Sequence, residues 1–304
     1  MISGYVIFFS AQNRAAWQFA LARAIRLYPA FLTCMIITAT VLFFFNTGHQ
    51  TLYLSQFLAN FSMVPGIFGR SGIDGSYWTL SLEICFYSAI FIIIFFGLLP
   101  RLPFIIMTWP VLIFSASLLG GDRWPLVGGY YSYFAAGALF ALQRFSGNAM
   151  AKFGLILSFY SAISFTAKFS LPAEANPIIV LLIPSSFFLF FWLLNIDALQ
   201  ELHLPFAKFF GNITYPLYLI HQAIGYLIIE RFANQQNKGF VIFATMGFMC
   251  LIAFLIHFLA ELKASNFSKK LLYALVGSPL RSLEQCKIYM FKAKSASADT
   301  FEKI

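Results

Sequence analysis

Charge is what this sequence has least of. Aspartate, glutamate, lysine and arginine together make up 10% of its 304 residues, against about 25% in a soluble globular domain. That scarcity excludes a disordered chain and nearly every water-soluble fold. Acids are the rarer sign, 11 against 20 lysines and arginines. Cysteine is sparse too. Cys34, Cys85 and Cys250 sit inside apolar runs and Cys286 in a basic tail, without CxxC spacing. Neither a metal site nor a disulfide framework is indicated. The first apolar stretch has no basic leader, so it is a poor secretory signal.

What is abundant is apolar surface. Hydrophobic residues make up 60% of the chain and phenylalanine occurs 39 times. The mean hydropathy is +0.79. A globule of this size could not hide so much, so lipid must be part of its solvent. The net charge of +9 does not point to nucleic acid. It gathers between and after the apolar runs, as on the cytoplasmic face of a membrane protein.

A membrane helix needs roughly 20 mostly apolar residues. Eight runs qualify: 27–45, 77–99, 104–119, 128–142, 153–169, 178–196, 211–229 and 240–260. None alternates apolar and polar residues as a barrel strand must. The expected fold is therefore an all-α polytopic bundle. Residues 2–10 are apolar but cover only about 15 Å as helix. They read as the second half of a span whose first half is missing. Residues 1–262 form the membrane domain, and 263–304 a basic tail expected to be disordered over its last dozen residues.

Loop charge sets the orientation. With residues 11–26 cytoplasmic, that side holds Arg14, Arg23, Arg26, Arg101, Arg144, Lys152, Lys208 and the eight basic residues from Lys263 onward. The outside holds Arg70, Arg123, Lys168, Arg231 and Lys238. The C-terminus is then cytoplasmic and segment 46–76 faces outward. In the tail, 271–276 reads as a short surface helix whose lysines meet anionic lipid.

Polar residues inside spans are costly and mark where chemistry belongs. Arg23 and Arg26 lie three apart on one helical face, where a cytoplasmic loop enters a span. They could hold a polyphosphate through bidentate bonds. They could equally be anchors snorkelling to headgroups, and spacing alone favours the anchors. In Ser76-Tyr-Trp-Thr-Leu-Ser-Leu-Glu83-Ile-Cys-Phe-Tyr87, Thr79, Glu83 and Tyr87 share a stripe. Glu83 there is either a functional carboxylate or a structural hydrogen-bond partner, with the two readings level. In Gly211-Asn-Ile-Thr-Tyr-Pro-Leu-Tyr218-Leu-Ile-His221-Gln222, Pro216 is expected in a first helical turn, capped by Asn212 or Thr214. Tyr218 and His221 face one way. His221 is a general base, a proton relay or a satisfied core histidine. His257 and Glu261, at i and i+4, read as a local ion pair.

Taken in order, these blocks resemble the membrane-bound acyltransferase-3 family. Ile2-Ser-Gly-Tyr-Val-Ile resembles the end of its second span and Arg23-Ala-Ile-Arg-Leu-Tyr-Pro29 its RxxR motif. Tyr77-Trp-Thr-Leu-Ser-Leu-Glu83 with Phe86-Tyr87 resembles its WxLxxE segment. Gly211 to His221 resembles its late G-x-I-S/T-Y-x-x-Y-L-x-H block. The resemblance implies ten spans and transfer of an acyl group, commonly acetyl from cytoplasmic acetyl-CoA. The acceptor is a hydroxyl of surface polysaccharide, lipopolysaccharide, a peptidoglycan precursor or another lipid-linked sugar. It also implies a bacterial inner membrane. Arg23 and Arg26 then hold the phosphates of CoA, and Glu83, Tyr87, Tyr218 and His221 are the candidates for lining the reaction cavity. The family's first span carries a basic residue and a catalytic histidine; this chain has no such span, and His221 matches a different family position. Met1 is accordingly expected to be an internal start. The alternative reading is a catalytically inactive truncated homologue or a noncatalytic carrier of lipid or polysaccharide.

Overall fold

A computed structural model describes residues 1–12, 14–45, 53–147, 149–170, 176–196 and 205–301. Among them the only regular structure is helix. The helices are α1 (Ile2–Ala11), α2 (Ala16–Phe45), α3 (Leu54–Asn60), α4 (Trp78–Phe95), α5 (Leu102–Leu118) and α6 (Tyr131–Ser146). They continue as α7 (Ala149–Phe165), α8 (Pro177–Leu194), α9 (Ala207–Phe232), α10 (Lys238–Ile256), α11 (Ser265–Leu272) and α12 (Ser278–Phe301). Wide π-type turns follow α7, α10 and α11 at Thr166–Ser170, His257–Lys263 and Tyr273–Gly277.

Among the described residues, six helical stretches are long and apolar enough to cross a membrane: Ala16–Phe45, Gly75–Phe95, Leu99–Leu118, Ala149–Phe169, Pro177–Leu194 and Lys238–Lys263. The expected count of eight is not confirmed. The two others fold as α6 and α9, where the apolar runs lie. However, α6 has 16 residues, about 24 Å, and α9 is diluted by Asn212, Thr214, His221 and Gln222. A polar stripe inside a helix lowers its hydropathy while marking a face that cannot meet lipid.

Two expectations about helix ends are corrected. Helix α2 begins at Ala16, well before the expected span start at 27, so Arg23 and Arg26, expected on one helical face at the span's entry, lie about two to three turns inside it. Helix α9 begins at Ala207, which places Pro216 in its interior and leaves Asn212 and Thr214 without a capping role. Thr214 Oγ1 instead donates to the Phe210 carbonyl at 2.7 Å, one turn back. Proline in mid-helix costs a backbone bond, and neighbouring helices in a membrane bundle can compensate. The carbonyl left without its N–H partner is that of Asn212, one turn back; Cys34 Sγ of α2 approaches the Pro216 carbonyl itself at 3.8 Å. Helix α12 runs to Phe301, over most of the stretch expected to be disordered.

The chain divides into two compact units. The first joins Met1–Ala15 to Cys85–Leu204. Its α1 packs against α6 at glycine level. A Cβ on Gly4 would fall 2.0 Å from the Phe134 carbonyl oxygen, and one on Gly137 2.0 Å from that of Met1. Small residues at such crossings let backbones touch, the means by which helices associate in lipid. Phe86 stacks on Trp109 at 5.6 Å and meets Phe134 edge-on at 5.2 Å. The Trp109 indole donates to the Leu126 carbonyl at 2.5 Å.

The second unit joins Ala16–Ile84 to Pro205–Ile304. It holds α2, the start of α4, α9, α10 and the whole basic tail. Phe19, Phe31 and Met35 of α2, Tyr77 and Leu219 are fully buried in it.

Candidate functional site

The paired arginines ride on the first half of α2. Arg23 is half-buried, its guanidinium 5.9 Å from the Phe19 ring centre. Arg26 is exposed and lies over the Tyr215 ring of α9 at 5.8 Å. Such a contact with an aromatic face is attractive for a guanidinium. The Tyr215 hydroxyl donates to the Leu27 carbonyl at 3.2 Å. Helices α2 and α9 therefore bring a guanidinium and a phenol together.

One turn further along α9 lies a polar knot. The Tyr218 hydroxyl donates to the Ser76 carbonyl and shares a hydrogen bond with Thr79 Oγ1. Asp74 stands at the centre, 1% exposed. Its Oδ1 accepts from Ser76 N–H and Ser76 Oγ, each at 2.8 Å. Its Oδ2 accepts from the Ala223 N–H of α9 at 2.9 Å. A buried carboxylate must be compensated by hydrogen bonds, and this one receives three. The neighbouring Gly75 admits Gln222, whose Nε2 would lie 2.4 Å from any Cβ there.

His221 sits within one helical turn of Tyr218, the rings 6.1 Å apart. Its Nδ1 is 3.0 Å from the Tyr218 carbonyl and 3.2 Å from that of Leu217. A carbonyl can only accept, so Nδ1 carries the proton. In the neutral tautomer that donates from Nδ1, the lone pair is on Nε2. The side chain is exposed and lines a groove of about 480 Å³ between α9 and α10, with Gln222, Tyr226, Thr245 and Met249. An imidazole with a fixed tautomer beside an open groove can accept a proton from a hydroxyl.

Of the expected site residues, Arg23, Arg26, Glu83, Tyr218 and His221 fall in the second unit. Tyr87 falls in the first, half-buried, its ring 6.1 Å from that of Phe86. Asp74, Ser76 and Tyr215 are additions that sequence reasoning did not supply. Asp74 is the one acid in segment 46–76 and stands just before a span, but a lone loop aspartate does not by itself mark a site. His257 Nδ1 and Glu261 Oε2 pair at 2.5 Å, as their spacing predicts. Among the described residues no cluster of His, Cys, Asp or Glu could hold a metal.

Neither the curated proteins nor the solved structures gave a match to this chain. One comparison did. The model of the acyltransferase-3 family, an acyltransferase domain, matches residues 1–259. That stretch takes in the paired arginines of α2, the Asp74–Glu83 segment and the tyrosine–histidine stripe of α9. With the greater part of its length matched, apolar helices included, the chain belongs to the acyltransferase-3 family.

Proposed function

We propose that this membrane acyltransferase moves an acyl group, acetyl in the first instance, from acyl-CoA to a hydroxyl of a cell-surface polysaccharide or lipid-linked sugar. The observation that carries the reading is the order of groups along α9. Tyr215 meets Arg26, Tyr218 anchors the polar knot, and His221 opens its Nε2 to the groove. From Tyr215 to His221 is six residues, about 9 Å of helix. A CoA held by its phosphates at Arg23 and Arg26 would reach the groove by its pantetheine arm passing around α9.

The chemistry follows from the donor. The acceptor hydroxyl gives its proton to Nε2 of His221 as its oxygen bonds to the thioester carbonyl carbon. The carbon–sulfur bond then breaks, and the CoA thiolate takes up the proton from the imidazolium. Charge on the tetrahedral oxygen needs a donor; the Gln222 amide, which lines the groove, would supply one. The basic loop residues and tail put the arginine end of α2 and the C-terminus at the cytoplasm, where acyl-CoA is made. A bacterial inner membrane suits that arrangement.

The test is turnover by the purified chain. Free thiol should appear from acetyl-CoA in the presence of a sugar acceptor. Stable binding of a glycolipid with no thiol release would instead favour a noncatalytic carrier.

A further inference from the structure

The family match ends at residue 259, while helix continues to Phe301. We propose that this extension is a brace for the arginine helix, with Glu284 as its positioning residue. The inference rests on the reading of Arg23 and Arg26 as holders of the donor's phosphates.

The first turn of a helix leaves N–H groups without intrahelical acceptors. Helix α2 has no acidic residue in its own first turn. The tail supplies one. Ala16 N–H donates to Glu284 Oε1 and Trp17 N–H to Oε2, both at 3.3 Å. One carboxylate thus caps a helix 268 positions away in sequence. Negative charge at a helix N-terminus is favoured by the helix dipole as well.

The cap does not stand alone. The Trp17 ring meets Tyr273 edge-on at 6.2 Å. The Arg281 guanidinium lies 5.7 Å from the Trp17 ring centre and donates to the Tyr273 hydroxyl at 3.4 Å. Buried Gly277 lets the tail come close, since a Cβ there would stand 3.2 Å from Leu21 Cδ2. Charge, ring and backbone contacts from 273–284 therefore converge on the opening turns of α2. Arg23 follows Trp17 by six residues, about 9 Å along the same helix. A helix end free to fray or tilt would carry both guanidiniums with it. Productive positioning is sensitive to shifts of that size.

The experiment measures coenzyme A binding to the full chain in detergent micelles, with hydrogen exchange at Ala16 and Trp17. Four proteins are compared: wild type, Glu284→Ala, Glu284→Gln and Arg23→Ala/Arg26→Ala. The brace predicts that Glu284→Ala weakens coenzyme A about three-fold. Exchange at 16–17 should quicken while overall helicity holds. Glu284→Gln keeps one acceptor oxygen without the charge and should fall between. The double arginine variant should lose at least about ten-fold in affinity, with exchange at 16–17 unchanged. If it does so while Glu284→Ala binds coenzyme A normally, the brace is overturned and the donor site stands. Should the double variant bind as wild type does, the donor site fails and the brace falls with it. Unchanged exchange in both Glu284 variants would show that the cap is absent and overturn the proposal directly.

Discussion

Asp74 and His221 show how much one polar side chain decides in a chain this apolar. Asp74 ties the loop before α4 to the middle of α9 through three accepted hydrogen bonds. Bonds to a charged group contribute about 1.5–3 kcal/mol each, and their loss leaves buried donors unpaired. Asp74→Ala should therefore lower stability by about 3 kcal/mol or more, read as a fall in the thermal midpoint of the purified protein. Asp74→Asn, which retains one acceptor oxygen, should lose less; equal losses would mean the retained oxygen contributes nothing without the charge and the second oxygen. His221 carries a different burden. His221→Gln should cut acyl transfer by about 100-fold or more while leaving coenzyme A affinity and thermal stability in place. Tyr218 and His221 were legible in the sequence because a histidine and two tyrosines break an apolar run at helical spacing. Asp74 was not, because outside the spans a lone aspartate in a loop is ordinary. Only the fold carries it onto α9.

At the scale of helices, the sequence was informative where lipid sets the rules and less so where helices meet one another. Among the described residues, apolar runs located each helix long and apolar enough to cross, since that length is set by the hydrocarbon. Ends were less legible. Helix α2 starts eleven residues before its expected span, in part because Glu284 from the far end of the chain caps it. Pro216 lies inside α9, where α2 comes close enough for Cys34 Sγ to reach its carbonyl. The crossing of α1 and α6 supplies a clean test of close packing. Gly137→Ala places a methyl 2.0 Å from a backbone oxygen and should destabilise by about 1–3 kcal/mol. Gly247→Ala, on α10, meets nothing within 4 Å and should leave the thermal midpoint within error. Comparable losses at both sites would contradict the close approach of α1 and α6.

At the scale of the whole molecule, scarcity of charge and the six membrane-length apolar helices among the described residues make a bilayer the solvent that fits. The chain should stay with the membrane pellet through alkaline carbonate extraction. Release into the supernatant would show that its helices are not integrated. The family to which it belongs makes acyl transfer the chemistry to test. The division of labour proposed along α2 and α9 makes a sharper claim than the family alone, because donor and acceptor are handled by different residues. The most direct measurement is thiol release from acetyl-CoA at varied donor concentration, in the presence of a sugar acceptor, by wild type, Arg23→Ala/Arg26→Ala and His221→Gln. The account predicts that the arginine variant raises KM for acetyl-CoA at least about ten-fold, whereas His221→Gln lowers kcat with KM unchanged. Variants that both leave KM and kcat at wild-type values would contradict it.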